Sequence, residues 1–299
     1  METNAANSAT GTKRSWEGIP LRTDTSQPQS QLPTRMTDSN PNVHSMFEGF
    51  RDELDQHHDR RERLIKISRD ITALSKKIIF SLQRVRTAGT SIPPNIYKDT
   101  TPRFESINSL FTTAVPELQS LNSHRYLRQL SPGIQEFIEA LSFKYYLEHQ
   151  TIITKAEVTK HLPEGILVTE DDYIGGLFDL TGEIMRFAVT SLSAGSYTTD
   201  TPNGEDDGLP KLPPAQANIV RDLREIRAEF EGISIPRRHD YSIFRDFSKK
   251  SEVMRSSVEK VERAAYGILV RGSERPKGWK PDLSAGEMMG DGGGEVDVY

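Results

Sequence analysis

Between Ser45 and about Arg86, apolar residues fall at Phe47, Phe50, Leu54, Leu64, Ile67, Ile71, Leu74, Ile78, Leu82 and Val85, in steps of three, four or ten that keep to one helical face. Neither Pro nor Gly interrupts after Gly49, so the pattern predicts a single helix of about forty residues, several times the common length. A helix that long needs a bundle or a partner to lie against. Gly89 and Pro93-Pro94 end it, and a second stripe (Phe104, Ile107, Leu110, Phe111, Leu118, Leu121) predicts a helix from Thr101 to Leu130, kinked at Pro116. Ser131-Pro132 reads as an N-cap followed by proline at the first helical position, opening a third helix that runs to about Gln150.

Thr169 with Asp172 three residues on forms a capping-box-like start for a fourth helix, Glu170 to Ser193, stopped by Gly195. Two further helices are predicted over Pro214 to Ile233 and Tyr241 to Arg271, the last ended by Gly272. The only β-like piece is Gly165 to Val168. The expected fold is an all-α bundle of six or seven helices with a very long first helix.

Composition changes this picture at three places. Apolar residues make up 35% of the 299, and the shortfall sits in residues 1–44, 195–214 and 276–299, where polar and turn-forming residues dominate. Such segments bury too little to offset their ordering entropy, so the reading is a disordered tail over 1–44, a helical domain over 45–276 with a polar loop insertion at 195–214, and a disordered tail over 277–299. The absence of cysteine excludes disulfides, thiolate metal sites and a Cys nucleophile, and fits a reducing, intracellular compartment. No apolar run is long enough to span a membrane and no signal-peptide core follows the N-terminus, so a membrane role is not expected. Net charge is −5, yet residues 51–90 hold ten basic against six acidic side chains. That basic strip is either the solvated side of a helix or a phosphate-contacting surface, with Arg69, Lys76 and Lys77 as candidate RNA contacts.

The candidate chemistry is carboxylate. On the third helix Glu136 and Glu139 lie one turn apart, away from the Ile134, Phe137, Ile138, Leu141 stripe but beside Ala140 and Phe143. On the fourth, Asp179 and Glu183 lie four apart among Gly175, Gly176 and Gly182, which let another backbone come close. Two acidic pairs on half-buried helix faces can converge four hard oxygen ligands for Mg²⁺ or Mn²⁺. Acids at these spacings also suit ordinary helix surface, and the pattern alone leaves both open. No Glu-x-x-His, His-Glu-x-x-His, Gly-x-Ser-x-Gly, Rossmann or P-loop signature occurs, and the seven histidines are scattered.

Four blocks carry a resemblance. Phe50 to Phe80, Gly133 to Phe143 (GIQEFIEALSF), Asp172 to Arg186 (DYIGGLFDLTGEIMR) and Lys260 to Pro276 (KVERAAYGILVRGSERP) occur in the order of the translin family and resemble its translin-associated factor X branch. The resemblance implies a seven-helix all-α fold and a hollow hetero-octamer with translin, present in cytoplasm and nucleus. It further implies Mg²⁺-dependent endoribonuclease activity on single-stranded or nicked RNA, with this chain as catalytic subunit, in passenger-strand removal during RNA silencing or in trimming transfer-RNA precursor fragments. Glu136, Glu139, Asp179 and Glu183 match the family's acidic positions one for one, as both catalytic and metal-binding residues. Two alternatives stay open: a bundle that only binds RNA or assembles, and an adaptor that recruits partners through its tails.

Overall fold

The structure is a computed structural model and describes residues 41–194, 198–200, 206–233 and 242–271. Within them the chain forms eight α-helices: α1 (Pro41–Leu82), α2 (Pro94–Ala114), α3 (Asn122–Arg125), α4 (Leu127–His149), α5 (Lys155–Lys160), α6 (Glu170–Ala194), α7 (Pro214–Gly232) and α8 (Ser242–Arg271). The all-α architecture with a very long first helix is as the periodicity predicts. The chain divides into two units. Of the first, Met1–Arg51, the described part is the start of α1, where Val43, Met46, Phe47 and Phe50 are exposed and the Phe47 and Phe50 rings meet edge to face at 6.0 Å. The second, Asp52–Tyr299, holds the core.

In that second unit Leu64, Ile67, Ile71, Ile78 and Leu82 of α1 are buried in one cluster with Ile107 and Phe111 of α2, Ile138 and Phe143 of α4, Ile184 and Phe187 of α6, and Ile268 of α8. α4 is buried on nearly all sides from Phe137 to Phe143, which makes it the central helix, with α6 packed along it and α7 and α8 against α6. Close approach is specified by small residues. A Cβ on Gly176 of α6 would lie 2.7 Å from Ile138 Cγ2 and 2.9 Å from the Gln135 carbonyl oxygen, and one on Gly133 would lie 3.0 Å from the Ser68 carbonyl oxygen of α1. Only glycine permits helices to touch this closely.

Several boundaries differ from the sequence reading. α1 starts at Pro41, so 41–44 belong to a helix rather than to the tail. Pro93 and Pro94 do not merely end the first helix. They open α2, with Pro93 as N-cap and Pro94 at N1, where a missing N–H costs nothing. The second helix is not continuous to Leu130. It stops at Ala114, passes through a 3-10 turn over Val115–Leu118 containing Pro116, and turns at Ser120, whose φ is 55°. Ser131-Pro132 is not a helix start either, because α4 begins at Leu127 and Pro132 lies inside it. The Ser131 hydroxyl, instead of capping, donates to the Asp172 carboxylate of α6.

The Thr169–Asp172 box forms as expected: the Asp172 amide donates to Thr169 Oγ1 at 3.1 Å, and the Thr169 hydroxyl donates back to the carboxylate at 2.8 Å. Gly165 to Val168 buries Ile166 and Val168 and exposes Leu167, the alternation of a strand, but has no strand to pair with among the described residues. The polar insertion, expected to lack structure, contains a two-stranded antiparallel sheet, β1 (Thr198–Asp200) with β2 (Asp206–Lys211), paired Thr198 to Lys211 and Asp200 to Asp206. A backbone ladder needs no apolar side chains to close. Residues 1–40 and 277–299 and the stops at Gly195 and Gly272 lie outside the described residues.

Candidate functional site

The capping box at Thr169 fixes where α6 begins, and Gly175 and Gly176 let it lie against α4 at Gln135 and Ile138. With the two helices in contact there, the acids beside the contact on α4 and one to two turns beyond it on α6 come to face a common space. Glu136 and Glu139 of α4 and Asp179 and Glu183 of α6 all line one open cleft of about 570 Å³, together with Lys76 and Phe80 of α1, Gln83 just past its end, and Val253 of α8. The described structure thus brings the four predicted acids together. Gly182, the third glycine of the α6 pattern, has open space where a Cβ would stand and lines the cleft rather than a helix contact.

The four carboxyl groups sit in different environments. Glu139 is 9% exposed; burial and the negative charges of Asp179, Glu136 and Glu183 push its carboxyl up to about 8. Glu136 is also raised, chiefly by burial, with the Lys76 ammonium 3.3 Å away acting against the shift; its Oε2 is buried and finds no hydrogen-bond partner among the described residues. Glu183, 7% exposed, accepts from Gln83 Nε2 at 2.5 Å and from Arg186 Nη1 at 2.8 Å. The more exposed Asp179 holds the Lys250 ammonium at 2.7 and 2.8 Å through its two oxygens. Two lysines therefore neutralise part of the charge, one at each end of the cluster. Among the described residues, no three carboxylate or imidazole groups are arranged to close on a single ion.

Of the predicted RNA contacts, Lys76 lines this cleft and also a neighbouring groove, where Arg69 joins it. Lys77, one residue on, is exposed but lines neither. Sequence reasoning missed Gln83, Arg186 and Lys250 as partners of the acids, and Phe80, which is 75% exposed at the cleft. Phe80 carries a readable signal, since it falls between Ile78 and Leu82 of the buried stripe without sharing their face. Lys250 carries none, because its position opposite Asp179 depends on how α8 packs on α6.

The chain was compared with known proteins. A model of the translin family matches residues 59–272. The translin-associated protein X of Pongo abelii is 31% identical over 267 residues, which cover 79% of this chain and 82% of that protein. The translin-associated protein X homolog of Schizosaccharomyces pombe is 29% identical over 231 residues, covering 77% and 89%, and translin of Homo sapiens is 22% identical over 221 residues, covering 72% and 87%. Among solved structures, the crystal structure of AfC3PO superposes with a TM-score of 0.52 at 19% identity, over 76% of this chain and 98% of that one, a likeness of fold.

Proposed function

This chain belongs to the translin family, and on that premise we propose that its carboxylate cleft is the Mg²⁺ site of an endoribonuclease acting on single-stranded or nicked RNA, within a hetero-oligomer with translin. The observation that carries the reading is the convergence of Glu136, Glu139, Asp179 and Glu183 in one cleft, with a buried Glu136 oxygen that has no hydrogen-bond partner among the described residues and Glu139 pushed up to about 8 by burial and its neighbours' charge. Unpaired buried oxygens and mutually repelling carboxylates are what a dication compensates, and an all-oxygen donor set suits Mg²⁺ or Mn²⁺. The acids as they stand do not close on one ion among the described residues, so to hold it their carboxylates would turn inward and exchange the lysines that now pair with Glu136 and Asp179; the ion when bound supplies charge neutralisation at a phosphate and an activated water.

The chain's own groups define the rest. Lys76 and Lys250, which pair with Glu136 and Asp179, are long flexible cations able to turn from a carboxylate to a phosphate. Gln83 and Arg186 hold the Glu183 carboxylate in one orientation. Glu139 has to give up its proton before it can act as a ligand, so ion binding releases a proton near neutral pH. Translin as partner is supported by the name of relatives about 30% identical, translin-associated protein X, and by likeness to translin itself. RNA as substrate is supported by the basic side chains of α1 beside the acids.

A second reading is favoured by the same two ion pairs. If Lys76 and Lys250 are permanent partners of Glu136 and Asp179, the cleft is a structural polar cluster in a subunit that binds RNA or assembles without cutting. Calorimetric titration of Mn²⁺ into the full-length chain, co-expressed with translin, separates the two. The metal reading expects saturable binding with proton release, lost or strongly weakened in Glu136→Gln, Glu139→Gln, Asp179→Asn and Glu183→Gln. Binding that is equal in wild type and all four variants contradicts it.

A further inference from the structure

A groove of about 840 Å³ adjoins the carboxylate cleft, walled by α1 on one side and the start of α4 on the other. Its cations come from both helices: Arg61, Arg69 and Lys76 from α1, and Arg128 from α4. Among the described residues, no carboxylate and no aromatic ring lines it; the remaining surface is supplied by residues such as Ile65, Ala73 and Pro132. The nearest acids engage these cations only at the edge, Glu62 at 3.0 Å from Arg61 in an exposed pair and Glu136 at 3.3 Å from Lys76. Exposed pairs of this kind are weak and exchange readily for a stronger anion. The Gln129 side-chain oxygen in the groove wall is buried and lacks a hydrogen-bond partner among the described residues. Since the two ends of an amide can be exchanged by rotation, Gln129 can present either an acceptor or a pair of donors there.

We propose that this groove is a phosphate track that holds the single-stranded substrate on one side of the cut, with Arg61 and Arg128 as binding residues beyond Arg69. The inference rests on the reading of the cleft as an RNA-cutting site and adds to it a direction and a footprint. Lys76 lines both the groove and the cleft. A strand whose phosphates follow Arg61, Arg128 and Arg69 is handed to Lys76 and so to Glu136. Four cations without a stacking ring read the backbone and not the bases, so binding in the track is indifferent to sequence. A rigid duplex presents two backbones to a groove whose cations can follow only one, which favours a single-stranded flank.

The test uses the full-length chain co-expressed with translin and a labelled oligouridylate, with binding read by anisotropy in EDTA so that cleavage does not interfere. Replacing Arg61 and Arg128 together by Gln is expected to weaken binding roughly ten-fold and to flatten the log–log salt slope by about 1.4, two contacts at about 0.7 each for a single strand. The charge-matched double variant Lys66→Gln/Lys160→Gln, exposed positions outside the groove, is expected to leave the slope as in wild type. With Mg²⁺ present, the loss in Arg61→Gln/Arg128→Gln appears in KM rather than kcat. It disappears on substrates shortened on one side of the scissile bond and persists on those shortened on the other. An unchanged slope in this variant overturns the proposal, as does a loss of equal size on every truncated substrate, the mark of general charge attraction. A wild-type complex that binds but does not cut contradicts the metal reading, while the slope still decides for or against the groove.

Discussion

At Glu139, burial and three neighbouring carboxylates act in the same direction, and the sign of the consequence for stability follows. Raised to about 8, the carboxyl keeps its proton in the folded chain over a range where the unfolded chain, near 4.5, has lost it. Stability without metal therefore falls as pH rises from about 4.5 to about 8 and levels off above. Glu139→Gln removes the titration: thermal unfolding in EDTA should show the variant more stable than wild type by on the order of 3 kcal/mol at pH 8, and nearly equal to it at pH 5. A pH-independent difference would show that Glu139 does not carry this penalty. The identity of the four acids was legible in the sequence, since their spacing on two helices and the flanking glycines mark half-buried faces. Their unequal environments were not, because these depend on Lys76 of α1, Gln83 just past its end and Lys250 of α8, brought in by packing alone.

Between elements, the α4–α6 contact decides whether the two acidic pairs meet. Gly176 sits where a Cβ would lie 2.7 Å from Ile138 and 2.9 Å from a backbone oxygen, whereas at Gly182 nothing lies within 4 Å. Gly176→Ala should therefore destabilise by about 1–3 kcal/mol through overpacking, and Gly182→Ala should be neutral or stabilising by up to about 1 kcal/mol through helix propensity. Chemical denaturation of the two variants checks this; equal effects would contradict the close-contact account. Helix existence was readable at this scale because apolar spacing is a local property, as in α1, α6, α7 and α8. Helix boundaries failed where prolines occurred. Pro93-Pro94, Pro116 and Pro132 each admit two readings, and which one holds is settled by long-range partners, as when Asp172 takes the Ser131 hydroxyl that a cap would have used.

At the scale of the whole molecule, the start of α1 is an exposed apolar surface among the described residues: Val43, Met46, Phe47 and Phe50 all stand in solvent. The isolated chain should associate or precipitate, and Phe47→Ser/Phe50→Ser should suppress that association in light scattering without lowering the melting temperature, because exposed rings contribute little to the fold. A wild-type chain that stays a monodisperse monomer contradicts the need for a partner. The resemblance to a family was legible from four sequence blocks that fall on the four helices meeting around the cleft, α1, α4, α6 and α8; the groove beside it was not, since Arg128 joins Arg61 only through packing of α4 on α1. The central claim, that the four acids cut RNA through a divalent ion, is tested most directly by cleavage of a single-stranded RNA by the co-expressed complex, with Mg²⁺ or EDTA, in wild type and in the four single variants. The account predicts Mg²⁺-dependent cutting that falls about 10²–10³-fold in Glu136→Gln, Glu139→Gln, Asp179→Asn and Glu183→Gln, while RNA affinity holds or rises as negative charge is removed. Variants that assemble and still cut at the wild-type rate would contradict it.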